Sequence, residues 1–173
     1  MAVAKGDRPE WAVQKLTELG VDRIIPVTAA RSVVRWDPDR ADRHLTRWRA
    51  VARAAAMQSR RLVLPVVEEL VSLPDLLAER HPGVALAEPG GAAPGLDRPT
   101  VLVGPEGGWT DEELAGAVPT VDLGPTVLRT ETAAVVAGTL LAALRHGIVG
   151  PAAALPAPVP IPPIAPVAPA RHR

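Results

Sequence analysis

An α/β fold with a mostly parallel sheet flanked by helices is predicted by three observations. Short apolar runs rich in β-branched residues recur along the chain, and several stop abruptly at glycine, as buried strands do when they deliver a loop. Between them lie longer segments whose apolar residues follow helical spacing. The two kinds of segment alternate from end to end, the order that lays helices onto a parallel sheet.

Ala2-Val3-Ala4 is too short for a full strand. Asp7 or a neighbour can cap a helix that carries Pro9 in its first turn, buries Ala12, Leu16 and Leu19, and stops at Gly20. Lys15 and Glu18 flank that stripe and read as solvated. Arg23 to Val27 is a short strand, with Pro26 tolerable near its end or at an edge. A loop holding Arg31, Arg35 and Trp36 leads to a long helix from about Asp39 to Gln58. Its buried face is Ala41, Leu45, Trp48, Ala52 and Ala55, which makes Trp48 a core residue and not a base-stacking platform. Gln58, Arg60 and Arg61 close that helix, where cations complement its dipole. Arg61 to Val67 returns as a strand, and Ser72 caps a short helix, Leu73 to Arg80.

Gly83 to Ala87 is a strand ending at Glu88-Pro89-Gly90-Gly91, and Thr100 to Val103 is another. Thr110-x-x-Glu113 is a capping box; the acidic first turn that follows it complements the helix dipole and needs no catalytic role. Thr120 to Leu123 is the last strand. Thr130 to His146 is an Ala/Val/Leu-rich helix ended by Gly147, and its small residues Ala133, Ala134, Ala137 and Gly138 permit close approach of another backbone, within the domain or across a dimer.

The domain is expected to span residues 1–149. From Gly150 the composition changes: eight prolines fall among the 23 residues 151–173, a pattern that suits a disordered or polyproline-like tail. Charge is also uneven. Residues 1–65 hold 13 Lys/Arg against 7 Asp/Glu, whereas residues 66–149 hold 4 against 12, so the front half is the candidate polyanion-facing surface. The chain has no cysteine, which excludes disulfides and thiolate metal sites and suits a reducing cytoplasm. Four scattered His residues give no metal site. No stretch approaches the roughly 18 apolar residues a membrane helix needs, and no signal peptide opens the chain, so a soluble, cytoplasmic protein is expected.

Two glycine-containing turns concentrate the chemistry. Val101-Leu102-Val103-Gly104-Pro105-Glu106-Gly107-Gly108 matches neither the dinucleotide fingerprint nor the P-loop, and Glu106 would repel a pyrophosphate. A neutral or cationic ligand fits better. Asp122-Leu123-Gly124-Pro125-Thr126-Val127-Leu128-Arg129-Thr130-Glu131-Thr132 is the second turn, and such strand ends are where open α/β sheets bind ligands.

Together with Lys5-Gly6-Asp7-Arg8, Lys15-Leu16-Thr17-Glu18-Leu19-Gly20-Val21, Ala30-Arg31-Ser32 and Gln58-Ser59-Arg60-Arg61-x-x-x-Pro65, these turns resemble the SPOUT methyltransferases over roughly residues 3–149. The resemblance is closest to the group that methylates N3 of a uridine in small-subunit ribosomal RNA. It implies a carboxyl-terminal trefoil knot, S-adenosylmethionine as cofactor, ribosomal RNA as substrate, a homodimer, and no metal or membrane. Carried over by position, the cofactor would lie against Glu88, Gly104, Pro105, Glu106, Gly107, Gly108, Leu123, Gly124, Leu128, Arg129, Thr130, Glu131 and Thr132. Arg31, Arg35, Gln58, Arg60 and Arg61 would face the RNA. Arg129 would stabilise the developing uracil anion or an RNA phosphate, with Glu131 the second choice, as a base; the structural alternative for this pair is an ion pair capping the last helix.

Two departures accompany the resemblance. The family carries a small barrel domain resembling PUA modules ahead of the knot, and this chain is expected to lack it together with most of the first strand. Thr126 stands where the family often has a basic residue. The rival reading is a knotted dimerisation or RNA-binding remnant that still binds the cofactor without turnover.

Overall fold

The computed structural model describes residues 1–79, 83–116 and 118–150. The proline-rich tail, 151–173, and Arg80, the expected end of the short helix, lie outside the described residues. The elements run α1 (Arg8–Glu18), β1 (Arg23–Ile24), β2 (Val27–Thr28), α2 (Pro38–Gln58), β3 (Val66–Val67), β4 (Val71–Ser72), α3 (Leu73–Ala78), β5 (Val84–Ala92), β6 (Thr100–Leu102), α4 (Asp111–Ala115), β7 (Thr120–Val121) and α5 (Thr130–Arg145).

Every strand pairing is parallel: β1 with β3, β2 with β4, and β5 between β6 and β7. The first residues join the two halves. The Met1 carbonyl accepts from the Val27 amide at 3.0 Å, and the Ala2 amide donates to the Val103 carbonyl at 2.8 Å. The Met1 amine donates to the Ile25 carbonyl, and burial lowers its pKa from 8.0 to about 5. Residues 1–4 are buried, so this short segment is interior sheet, although it is too brief to read as a strand from sequence.

Alternation of side chains sends strand residues to opposite faces. On one face Val103, Ile24 and Val67 meet α1, α2 and α5 through Val13, Leu16, Leu45, Trp48 and Ala134. On the other, Leu86, Leu102 and Val27 meet Leu73 and Leu76 of α3, with Trp109 between. Trp48 is 0% exposed, as a core residue should be. The small residues of α5 are used within the domain: a Cβ at Gly138 would stand 2.6 Å from Leu16 Cδ2.

Several elements differ from the sequence reading. Pro26 divides the expected Arg23–Val27 strand into β1 and β2. The expected strand over Arg61–Val67 is only Val66–Val67; Leu62, Val63 and Leu64 are exposed, and a second short strand, β4, follows. The helix expected to reach Leu19 ends at Glu18, and Asp7 occupies its N-cap position without a side-chain capping bond. The Thr110–Glu113 capping box is present in both directions.

β5 is the element that shapes the functional end. Ala87 pairs with Val121 of β7, residues 88–91 bulge out of register within the strand, and Ala92 pairs with Val121 again. The excursion closes tightly. A Cβ at Gly91 would lie 2.7 Å from Thr120 C and Val121 N.

Candidate functional site

Three loops converge at the carboxyl ends of β5, β6 and β7. The first begins at Gly104, where a Cβ would press to 3.0 Å from the Trp109 indole. That ring is held in turn by its Nε1 donating to the Ala87 carbonyl at 3.0 Å, which fixes the turn against β5. Gly108 takes a positive φ of 69° to complete the turn. Arg31 buttresses it from outside, with Nη1 donating to the carbonyls of Gly107 (3.2 Å) and Trp109 (2.7 Å).

Asp122 ties the second loop to the third. Its Oδ1 accepts from the Gly124 amide at 2.9 Å and its Oδ2 from the Gly90 amide at 3.0 Å. These bonds, Gly124 first, hold the carboxyl below the ordinary Asp value. The sign follows: this contribution to stability is intact above the unfolded-state pKa and is lost as pH falls through the lowered folded-state pKa. The second loop is tied to the first by Thr130, a buried residue whose Oγ1 donates to the Gly104 carbonyl at 2.9 Å.

Between the loops lies a cleft of about 140 Å³. Of the residues expected at the cofactor, Glu88, Gly104, Pro105, Glu106, Gly108, Leu123, Gly124, Leu128 and Thr130 line it. Gly107, Arg129, Glu131 and Thr132 do not. Arg129 is exposed at the N-cap position of α5. Glu131 does not pair with it; its Oε1 lies 3.7 Å from Arg8 Nε, and its Oε2 is buried without a hydrogen-bond partner. The ionisable side chains lining the cleft are Glu88, Glu106 and Asp122, with no cation among them. Such a cleft repels phosphate and accepts a neutral or cationic ligand with an apolar part against Val103, Leu123 and Leu128.

Sequence reasoning passed over Asp122, Trp109 and Arg8. Asp two residues before a Gly is the signature of a side chain bonding its own backbone, so Asp122 could have been found. Trp109 and Arg8 carry no local signal, since their partners are distant in sequence.

The residues expected to face RNA divide into two sets. Arg31 is engaged with the first loop, and Arg61 is only 13% exposed, with Nη1 donating to the Thr17 and Val21 carbonyls and Nη2 near Asp22. Arg35, Gln58 and Arg60 are exposed, Arg60 with φ 56°. Among the described residues no group of His, Asp and Glu could hold a metal, and no helix is long and apolar enough to cross a membrane.

A larger cavity, about 360 Å³, lies elsewhere, between the facing edges of β1 and β6 beneath Met1. Its walls are mainly β1 and β6 with their flanking residues and the small apolar face of α5, with Leu16 from α1. Met1 and Ala2 bond to both of its sides, to Ile25 and Val27 on one and to Val103 on the other. Converging backbone groups and carboxylates mark the smaller cleft as the candidate site.

The model of the RNA methyltransferase domain matches residues 1–142. Ribosomal RNA small subunit methyltransferase E of Mycobacterium bovis is 41% identical over 161 residues, covering 79% of this chain and 58% of that protein. The Bacillus subtilis protein of the same name is 37% identical over 149 residues, covering 75% and 58%. This chain thus spans a little over half the length of these relatives. Among solved structures, a Legionella pneumophila methyltransferase in complex with bound cofactor SAM has a TM-score of 0.76 at 32% identity, covering 83% of this chain and 64% of that one. Ribosomal RNA small subunit methyltransferase E of Neisseria gonorrhoeae bound to S-adenosyl methionine has a TM-score of 0.70 at 33% identity, with the same coverage. With its parallel α/β fold and an acidic three-loop cleft at the strand ends, the chain belongs to the RNA methyltransferase domain family.

Proposed function

We propose that the chain binds S-adenosylmethionine in the cleft and transfers its methyl group to N3 of a uridine in small-subunit ribosomal RNA. The observation that carries this reading is the cleft itself: three carboxylates, no cation, and backbone groups from three loops, in a chain similar to two solved proteins that are bound to this cofactor. The residues fit it. Glu88, Glu106 and Asp122 suit a positive sulfonium, and a Cβ added at Gly90, Gly108 or Gly124 meets nothing, so the loops leave open space. The cleft is smaller than the roughly 300–1,000 Å³ of ordinary ligand pockets. Residues 124–127, which flank it, are exposed.

The cofactor supplies an electrophilic methyl group. Uracil N3 is a weakly acidic imide nitrogen, which must give up its proton to a base or to bulk water before its lone pair could accept the methyl group the bound cofactor would supply. The negative charge spreads to the flanking carbonyls, where a fixed cation lowers the barrier. Arg129 takes that role: it is exposed at the rim, beside cleft-lining Leu128 and Thr130. Glu131 faces Arg8, which makes it the weaker choice for a base. Arg35, Gln58 and Arg60 are the exposed candidates for RNA contact. As in the SPOUT proteins it resembles, the chain is read as carrying a carboxyl-terminal trefoil knot and as dimeric and cytoplasmic.

The test is transfer from labelled cofactor to naked small-subunit RNA and to assembled small subunits, followed by digestion to nucleosides and mass spectrometry. Label in 3-methyluridine is the expected result. Label in another nucleoside overturns the N3 assignment. Cofactor binding without transfer to either substrate supports the non-catalytic remnant reading.

A further inference from the structure

We propose that Arg8 is a positioning residue that draws Glu131 away from Arg129 and so keeps the Arg129 guanidinium free for an anionic substrate. The proposal rests on the reading of Arg129 above. Arg8 is the first residue of α1, where the positive end of the helix dipole makes a cation unfavourable. Two carboxylates offset that placement: Nη1 lies 3.8 Å from Glu106 Oε1, and Nε lies 3.7 Å from Glu131 Oε1.

Those carboxylates belong to the two turns that form the cleft. Glu106 lines it, and Glu131 is the second residue of α5. Glu131 is 12% exposed in its side chain, and its Oε2 has no hydrogen-bond partner, so its charge depends on a cation nearby. Arg129 is the cation nearest to Glu131 in sequence. Residues two apart inside a helix do not face one another, but Arg129 stands outside it, with extended backbone at ψ 153°. Its long side chain can swing to Glu131 if Arg8 is removed. With Arg8 in place, Arg129 has no ion-pair partner among the described residues.

The test reads Arg129 directly, by nuclear magnetic resonance of its Nε–Hε group in the full chain, with the amide spectrum reporting the fold of each variant. Glu131→Gln alone leaves the Arg129 signal where it is. Arg8→Gln shifts it and slows Hε exchange about tenfold, because Arg129 captures the freed carboxylate. Adding Glu131→Gln to Arg8→Gln returns the signal to its original position and rate, a reversal that a merely structural loss would not give. An unchanged Arg129 signal in folded Arg8→Gln overturns the proposal, as does a shift caused by Glu131→Gln alone. Full transfer activity in Arg129→Ala would instead remove the catalytic reading on which the proposal rests.

Discussion

Arg129→Ala lowers methyl transfer by at least about 100-fold, the usual loss when one preorganised donor to a developing anion is removed. Its affinity for S-adenosylmethionine changes by no more than about fivefold, because the side chain stands outside the cleft and a lost rim contact is worth only about a few tenths to one kcal/mol. Single-turnover transfer with saturating cofactor, beside calorimetric titration of the same variant, separates the two effects. Arg129→Lys recovers only part of the rate, since an ammonium keeps the charge but not the planar, multi-donor geometry of the guanidinium. A fully active Arg129→Ala removes the residue from the mechanism.

Gly91→Ala is the substitution with the largest expected effect on the fold. The added Cβ would lie 2.7 Å from Thr120 C and Val121 N and 2.8 Å from Val121 C, all backbone atoms that cannot rotate away. Either β5 or β7 must shift, at the junction where Ala92 returns to Val121. Overpacking of this kind costs about 3 kcal/mol, which for a chain of this size lowers Tm by about 6–12 °C. Cofactor binding weakens with it, because Gly90 and Asp122 are held by the same crossing. Gly90→Ala is the control: its φ of 79° adds strain, but the Cβ meets nothing. That variant loses only about 1 kcal/mol. Thermal unfolding of the pair decides; equal Tm values for Gly91→Ala and the parent chain contradict the close crossing.

How legible this was in the sequence depended on the range of the interaction. Turns and caps are local, so Gly104–Gly108, the Thr110–Glu113 box and the end of α5 could be read where they stand. Trp48 could be placed in the core because its neighbours on α2 share its face. Pairing between distant strands leaves no such trace. Val71–Ser72 is a strand only because Val27–Thr28 lies beside it, and the excursion of residues 88–91 is defined by its return to Val121. Charge pairing failed for the same reason. Arg129 and Glu131 are near in sequence, which suggested an ion pair, yet the cation that reaches Glu131 comes from α1. Of the cofactor candidates at the entry to α5, Leu128 and Thr130 line the cleft whereas Arg129, Glu131 and Thr132 do not, a distinction set by the direction in which the chain enters the helix and one that a motif cannot carry.

The claim on which the account turns is that the acidic three-loop cleft is a cofactor site in this chain. Isothermal titration with S-adenosylmethionine, with mass in solution recorded on the same sample, tests it most directly. Saturable micromolar binding at one site per chain, in a dimer, is the predicted result. A folded chain that gives no heat and no saturation would contradict it.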